Sequence, residues 1–142
     1  MARPVLYMEI VGTLLLDKGG RLDVAPFARR FIEGVKEKFE VRLLTSLQEH
    51  QAAAVARALE MPVSYVPYPR ALGKAAAIDF REDFYWLEQD PTPADLLRLS
   101  DERRSDRLIP VNKRDGVTEA VLNKLLNVLK GPETTLEAAS LP

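Results

Sequence analysis

The chain has no cysteine, one histidine and no long apolar run among its 142 residues. The absence of cysteine excludes disulfides, thiolate metal ligands and thiol nucleophiles, and it fits a reducing compartment. The single histidine, His50, has no second ligand at metal spacing, so we interpret it as a surface residue of a helix. Because no segment approaches the roughly 20 apolar residues of a membrane span, we expect a soluble, cytoplasmic protein without membrane contact.

An excess of charge of either sign is also absent, since 20 Lys and Arg stand against 21 Asp and Glu. Without an overall positive field, binding of nucleic acid is not favoured. The length and the 46% hydrophobic content suit one domain with its own core. We predict a single domain over residues 1–131 and a flexible tail over 132–142, because the tail has few large apolar residues and begins and ends with proline.

Five short apolar runs alternate with helical patterns along the chain. The predicted strands lie near residues 5–8, 41–44, 62–66, 84–87 and 108–111. This alternation predicts an α/β fold with a mostly parallel, five-stranded sheet in a three-layer α/β/α, Rossmann-like arrangement. The first run, Val5 to Met8, has no polar residue and is expected at the centre of the sheet, buried on both faces.

Capping residues mark the predicted helices and turns. Gly19-Gly20 predicts a short hairpin after the first strand, and Asp23 is the expected cap of a helix near residues 25–38. Ser46 with Glu49 has the spacing of a capping box, and Thr92 and Thr118 are expected caps of later helices. Gly131 is the expected end of the last helix.

Polar residues follow the predicted strands at one end. Glu9 follows the first strand, Thr45 the second and Glu88 the fourth, while Lys74 opens a helical run after the third. Because ligands bind at the carboxyl ends of parallel strands, we expect these four side chains to face one cleft. A lysine at a helix start opposes the helix dipole, which favours a functional interpretation of Lys74.

The segment Glu9-Ile10-Val11-Gly12-Thr13-Leu14 resembles the first motif of the haloacid dehalogenase (HAD) superfamily, Asp-x-Asp-Gly-Thr-Leu, with both aspartates replaced. In that family the first aspartate is the phosphoryl-accepting nucleophile and a magnesium ligand, and the second is the general acid and base. The connecting segments are too short for a cap domain, so the resemblance is to capless members. Residues 84–126 are also similar to HAD domains associated with bacterial RNA-repair proteins.

The resemblance implies roles for the residues at the strand ends. Glu9, Thr45 and Lys74 match the positions of the nucleophile, the phosphoryl-binding hydroxyl and the neutralising lysine. Glu9, Glu88 and Asp90 fall where the family binds Mg²⁺, although the usual adjacent aspartate pair is missing. Magnesium is therefore the only cofactor that we expect, and a phosphorylated molecule is the expected ligand.

The departures from the motif determine the expected function. Glu9 adds a methylene to the nucleophile, and misplacement of roughly 1 Å can cost about a hundredfold in rate. Val11 cannot transfer a proton, a step worth about a hundred- to ten-thousandfold. We therefore expect no efficient enzyme but a HAD-like domain that has lost phosphohydrolase activity and serves as a binding or structural module.

Two alternatives remain open at this point. One is a weak magnesium-dependent phosphohydrolase that uses Glu9, supported by Thr45, Lys74 and Glu88. The other is a module that binds nucleic-acid ends, in which Arg70, Lys74 and residues 103–107 contact phosphates. The neutral overall charge disfavours the second alternative.

A homodimer is predicted from the irregular segment 65–69, which carries Tyr65 and Tyr68 between prolines. Tyrosine offers a large contact area with few torsions to freeze, and a self-complementary patch closes as a twofold dimer. Light scattering over a dilution series should give a dimer mass that Tyr68→Asp converts to a monomer mass. A monomer mass at every concentration of the native protein would contradict this prediction.

Overall fold

A computed structural model of the protein describes the backbone of residues 2–140 and the side chains of residues 2–130. The strands are β1 (Val5–Met8), β2 (Leu15–Lys18), β3 (Arg21–Val24), β4 (Glu40–Leu43), β5 (Phe84–Glu88) and β6 (Leu108–Pro110). The helices are α1 (Ala28–Val35), α2 (Glu49–Ala58), α3 (Pro93–Asp101) and α4 (Glu119–Ser140), with short 3-10 helices at Lys74–Ala77 and Ser105–Arg107.

The central sheet has four strands in the order β4-β1-β5-β6, and all of its neighbours are parallel. Strand β1 is interior, as predicted, because it lies between β4 and β5, and all four of its side chains are buried. The predicted strand near residues 62–66 contributes a single bridge, between Tyr65 and Leu43, so it is not one of the four strands. Pro62 is the first residue of this segment and Pro67 follows it, and proline has no N–H to donate to a longer ladder.

Helices flank the sheet because alternate residues of the strands point to opposite faces. Leu6 and Met8 of β1 belong to a core cluster that includes buried side chains of α1, α2 and α4. Val5 and Tyr7 belong to a second cluster, which contains Ala75 of the first 3-10 helix and residues of α3 and β5. The fold is therefore an α/β fold with a parallel sheet that buries apolar side chains on both faces.

Strands β2 and β3 form the predicted antiparallel hairpin, with Gly19 and Gly20 at its turn. The predicted cap at Asp23 is wrong, because Asp23 lies within β3 opposite Leu16 and its carboxylate pairs with Arg21. Helix α1 begins later, at Ala28, and has no side-chain cap. Residues that the capping pattern assigns to the helix start therefore belong to the β2–β3 hairpin instead.

Two of the other predicted caps are present. Thr92 and Asp95 form a capping box at the start of α3, and the Thr118 hydroxyl accepts a hydrogen bond from the N–H of Val121 at 3.3 Å. The Ser46 cap is wrong, because Gln48 and Gln51 form the capping box of α2. The N–H of Ser46 instead donates to the carboxylate of Glu9, which fixes Ser46 before the helix begins.

The backbone of α4 continues to Ser140, past Gly131, so the predicted end of this helix is wrong. Glycine and proline inside a helix cost about 1 and about 3 kcal/mol, which weakens the helix without forbidding it. Flexibility of residues 132–142 stays a prediction, and residues 141–142 lie outside the described part of the chain. Among the described residues, no helix combines the length and the apolar character needed to cross a membrane.

Gly116 offers a stability test, because it has φ +67° and an added Cβ would overlap the carbonyl oxygen of Thr13. That oxygen accepts the N–H of Val117 at 2.9 Å and joins the motif after β1 to the start of α4. Gly19, with φ +65° and nothing within 4 Å of an added Cβ, is the matched control. Both alanine variants carry a left-handed backbone strain of about 1–2 kcal/mol.

We expect Gly116→Ala to lose about 1–3 kcal/mol more unfolding free energy than Gly19→Ala, because only Gly116→Ala also introduces an overlap. Urea denaturation of the two variants beside the native protein measures the difference. Equal losses would show that Gly116 is needed only for its backbone conformation.

Candidate functional site

Four polar side chains meet at the carboxyl edge of the sheet, as their positions after the strands predict. The ammonium group of Lys74 contacts the carboxylates of Glu9 and Glu88, and its distance to Glu88 Oε1 is 2.6 Å. The hydroxyl of Thr45 donates to Glu9 Oε1. We call Glu9, Thr45, Lys74 and Glu88 the Lys74 cluster.

Every oxygen of the Glu9 carboxylate accepts hydrogen bonds. Oε1 accepts the N–H groups of Ile10 and Val11, at 2.7 and 3.2 Å, in addition to the Thr45 hydroxyl. Oε2 accepts the N–H of Ser46 at 3.0 Å and the ammonium of Lys74. Because Glu9 is only 2% exposed, these donors replace the water that a surface carboxylate would bind.

Glu88 has a similar arrangement at the end of β5. Its Oε1 accepts from Lys74, and its Oε2 accepts the backbone N–H groups of Gln89 and Asp90, each at 3.0 Å. Burial raises the pKa of Glu88 above its ordinary value, and the adjacent Lys74 partly offsets this. Burial lowers the pKa of Lys74, but the charges of Glu9 and Glu88 outweigh it and the net shift is upward. Lys74 therefore stays protonated at neutral pH.

Asp95 fixes the backbone that carries Lys74. Its buried carboxylate accepts the N–H of Ala75 at 2.9 Å and the N–H of Thr92 at 3.0 Å, so it joins the 3-10 helix to the start of α3. A Cβ on Gly73 would lie 2.6 Å from Asp95 Oδ1, which explains the glycine before Lys74. Asp95 was not predicted as a residue of the site, although its capping-box spacing after Thr92 was a usable signal.

Asp90 does not join the Lys74 cluster. Its side chain is exposed, and its backbone N–H donates a hydrogen bond to Glu88 Oε2 at 3.0 Å. In the described part of the chain, no three Asp, Glu, His or Cys side chains are grouped so that they could hold a metal ion. A magnesium site formed by Glu9, Glu88 and Asp90 stays a prediction.

A cavity of about 720 Å³ is lined by residues that closely follow Glu9 and Glu88 in the sequence, but none of the four residues of the Lys74 cluster lines it. Its walls come from the segments after β1 and β5, from the turn of the hairpin and from the segment after β6. The lining residues are Val11, Gly12, Leu16, Asp17, Lys18, Gly19, Gly20, Gln89, Asp90, Lys113 and Arg114. Its volume is within the range of small-molecule sites, about 300–1,000 Å³. We call this cavity the edge cleft. Its three cationic residues, Lys18, Lys113 and Arg114, were not predicted from the sequence, because isolated surface charges have no diagnostic spacing.

The residues of the nucleic-acid alternative do not share one surface. Arg70 lies near the Lys74 cluster, where its guanidinium donates to the carbonyl of Ser46 at 2.9 Å. Arg107 pairs with Asp83 at 2.6 Å, beside the amino end of β5 and hence at the opposite edge of the sheet. His50 is an exposed residue of α2, in agreement with its interpretation as a surface residue.

Comparison with protein-family models and with curated proteins finds no match to this chain. Its function is therefore inferred from the site itself.

Lys74→Met tests the electrostatics of the cluster, because it removes the cation shared by two buried carboxylates. Breaking a buried ion pair on one side costs about 3–5 kcal/mol, so we expect a loss of this size at pH 8. Without the ammonium, the pKa of the buried Glu88 carboxyl rises further in the folded state. Stability from a raised carboxyl pKa is present at low pH and lost as pH increases, so part of the loss should be recovered near pH 5.

Urea denaturation at pH 5 and pH 8 measures both effects. Lys124→Met, at an exposed lysine of α4, is the control and should change the unfolding free energy by less than about 0.5 kcal/mol. A loss in Lys74→Met that is independent of pH would contradict the assignment of the effect to the carboxylates.

Proposed function

We propose that this chain is a capless HAD-like domain of the three-layer, Rossmann-like type that has lost phosphohydrolase chemistry and acts as a binding or structural module. The arrangement of the Lys74 cluster supports this proposal. Glu9 follows an interior parallel strand, Thr45 and Lys74 contact it from later segments, and Glu88 contacts Lys74, in the chain order that the resemblance implies.

The observation that carries the proposal is that both oxygens of the Glu9 carboxylate already accept hydrogen bonds from the protein. A nucleophilic carboxylate must direct a free lone pair at phosphorus, and a carboxylate has about four lone-pair sites. Five groups donate to Glu9: three backbone N–H groups, the Thr45 hydroxyl and the Lys74 ammonium. Glu9 is therefore an anchor for three segments of the chain, and its attack on a substrate would require these bonds to be broken.

Val11 supports the same conclusion from the position of the acid and base. Its side chain borders the edge cleft, where a leaving group would be protonated. An isopropyl group has no proton to transfer, so this contribution of about a hundred- to ten-thousandfold is missing. The cleft can still hold a ligand, since binding does not need either aspartate of the motif.

The weak phosphohydrolase is the second candidate, because Glu9 and Glu88 are neighbours at the sheet edge and Asp90 borders the cleft. A magnesium site needs only one or two carboxylates, with water and phosphate as further ligands. Here the Lys74 ammonium already pairs with both Glu9 and Glu88, so it would have to move before a divalent cation could bind between them. The residues present thus fit a structural ion-pair cluster better than a metal site.

Restoring the two aspartates tests the proposal. We expect no measurable release of phosphate from phenyl phosphate by the native protein with Mg²⁺, and release by the double variant Glu9→Asp with Val11→Asp. The shorter Asp at position 9 leaves room beside Lys74, and Asp at position 11 supplies the missing proton donor. The single variant Val11→Asp is the control and should stay inactive, because the Glu9 carboxylate still accepts hydrogen bonds from all five donors.

Robust turnover by the native protein that Glu9→Gln abolishes would establish the phosphohydrolase and reject the proposal. Circular dichroism spectra of all variants identify any that fail to fold.

A further inference from the structure

We infer that the edge cleft binds a small organic anion with at least two negative charges, held by Lys18, Lys113 and Arg114. This inference rests on the proposed function, because it names the class of ligand that the module would bind. It concerns residues outside the Lys74 cluster and does not depend on any reaction at Glu9.

The charges of the edge cleft favour an anion. Lys18 comes from the hairpin, and Lys113 and Arg114 come from the segment after β6, so distant parts of the chain bring three cations to one cavity. None of the three makes an ion pair in the part of the chain that the structure describes. The exposed ammonium and guanidinium groups are thus available to a ligand.

Two carboxylates also border the cleft and limit what it can accept. The carboxylate of Asp17 accepts the N–H of Gly20 at 2.8 Å, which directs that oxygen to the turn of the hairpin. Asp90 is the second. With three cations and two carboxylates the cleft has a formal charge of +1, so an acid with two charges is bound without a large excess of negative charge.

The topology of the sheet places this cleft at a position suited to ligands. From β1 the chain first passes to β4 on one side and then returns to β5 on the other side of β1. In open parallel sheets, ligands bind outside the carboxyl ends of the strands where the direction of winding reverses. The edge cleft is lined by Val11 and Gly12 after β1 and by Gln89 and Asp90 after β5, the two strands at this reversal.

The shape of the cleft favours more than one acid group. A second cavity of about 420 Å³ shares Gln89, Asp90, Lys113 and Arg114 with the edge cleft and extends it along the segment after β6. Lys113 and Arg114 therefore border both cavities and can contact acid groups in each. Phosphate monoesters and polycarboxylates both have the required charge, and the two are distinguished experimentally.

A neighbouring cavity indicates how the ligand is oriented. Lys18 and Arg114 also border this more apolar cavity, whose lining includes the carboxylates of Asp23, Asp115 and Glu119. These carboxylates disfavour acid groups there. The acid groups of the ligand should therefore lie on the Lys113 side.

Isothermal titration calorimetry at low salt tests the inference with two probes, inorganic phosphate and citrate. The variant Lys113→Ala with Arg114→Ala removes two cations of the cleft. The control Lys38→Ala with Arg57→Ala removes the same two residue types from exposed positions before β4 and in the last turn of α2, at the amino end of the strands. Both double variants have the same net charge, so a general electrostatic effect is equal in the two.

We expect the native protein to bind at least one probe. The cleft variant should bind that probe at least about tenfold more weakly, since each hydrogen bond to a charged group contributes about 1.5–3 kcal/mol. The control should bind within about twofold of the native protein. Binding of phosphate alone would identify phosphate esters as the ligand class, and binding of citrate alone would identify polycarboxylates. Binding of neither probe, or equal weakening in both variants, would overturn the inference.

The same samples separate this inference from the proposed function. Release of phosphate from phenyl phosphate by the native protein would reject the proposed loss of catalysis and leave the anion site standing. Absence of binding would reject the anion site and leave the proposed loss of catalysis standing. Unchanged circular dichroism spectra and melting temperatures of both variants exclude unfolding as the cause of lost binding.

Discussion

The ammonium group of Lys74, placed between the carboxylates of Glu9 and Glu88, joins three distant parts of the chain at one edge of the sheet. Burying charges is costly unless each is paired and hydrogen-bonded, so these groups constrain one another's positions. The segment between α2 and β5 contains little regular structure, and Lys74 attaches it to the ends of β1 and β5. Asp95 supports this attachment from α3 through the N–H of Ala75.

This arrangement also determines what lies beside it. Because Lys74 is shared by two carboxylates, its charge is not available to an incoming anion at the edge cleft. The charges that a ligand meets are those of Lys18, Lys113 and Arg114, which are exposed and lie outside the Lys74 cluster. Stability and ligand binding therefore depend on different cations at the same edge of the sheet.

Sequence patterns predicted the parts of the molecule that burial controls. The apolar run of β1 required an interior strand, and the order of polar residues after successive strands brought the Lys74 cluster together. The predicted caps at Asp23 and Ser46 were wrong because both residues interact with other parts of the chain. Asp23 pairs with Leu16 in the hairpin ladder, and the N–H of Ser46 donates to the Glu9 carboxylate. Competition of this kind depends on groups far apart in the chain, which local spacing does not reveal. The cations of the edge cleft were not predicted because isolated surface charges have no diagnostic spacing, and only the fold brings them to one cavity.

The buried polar groups of the Lys74 cluster are hydrogen-bonded throughout. A buried polar group without a partner costs about 1–3 kcal/mol. Among the buried side-chain nitrogen and oxygen atoms of the described residues, only Trp86 Nε1 and Arg107 Nε lack a hydrogen-bond partner, and neither belongs to the Lys74 cluster. The side chain of Glu9 accepts hydrogen bonds from the N–H of Ser46, which follows β4, and from the ammonium of Lys74. A fully paired polar network of this kind stabilises one arrangement of the strand ends, which is the property expected of a structural anchor beside a binding cleft.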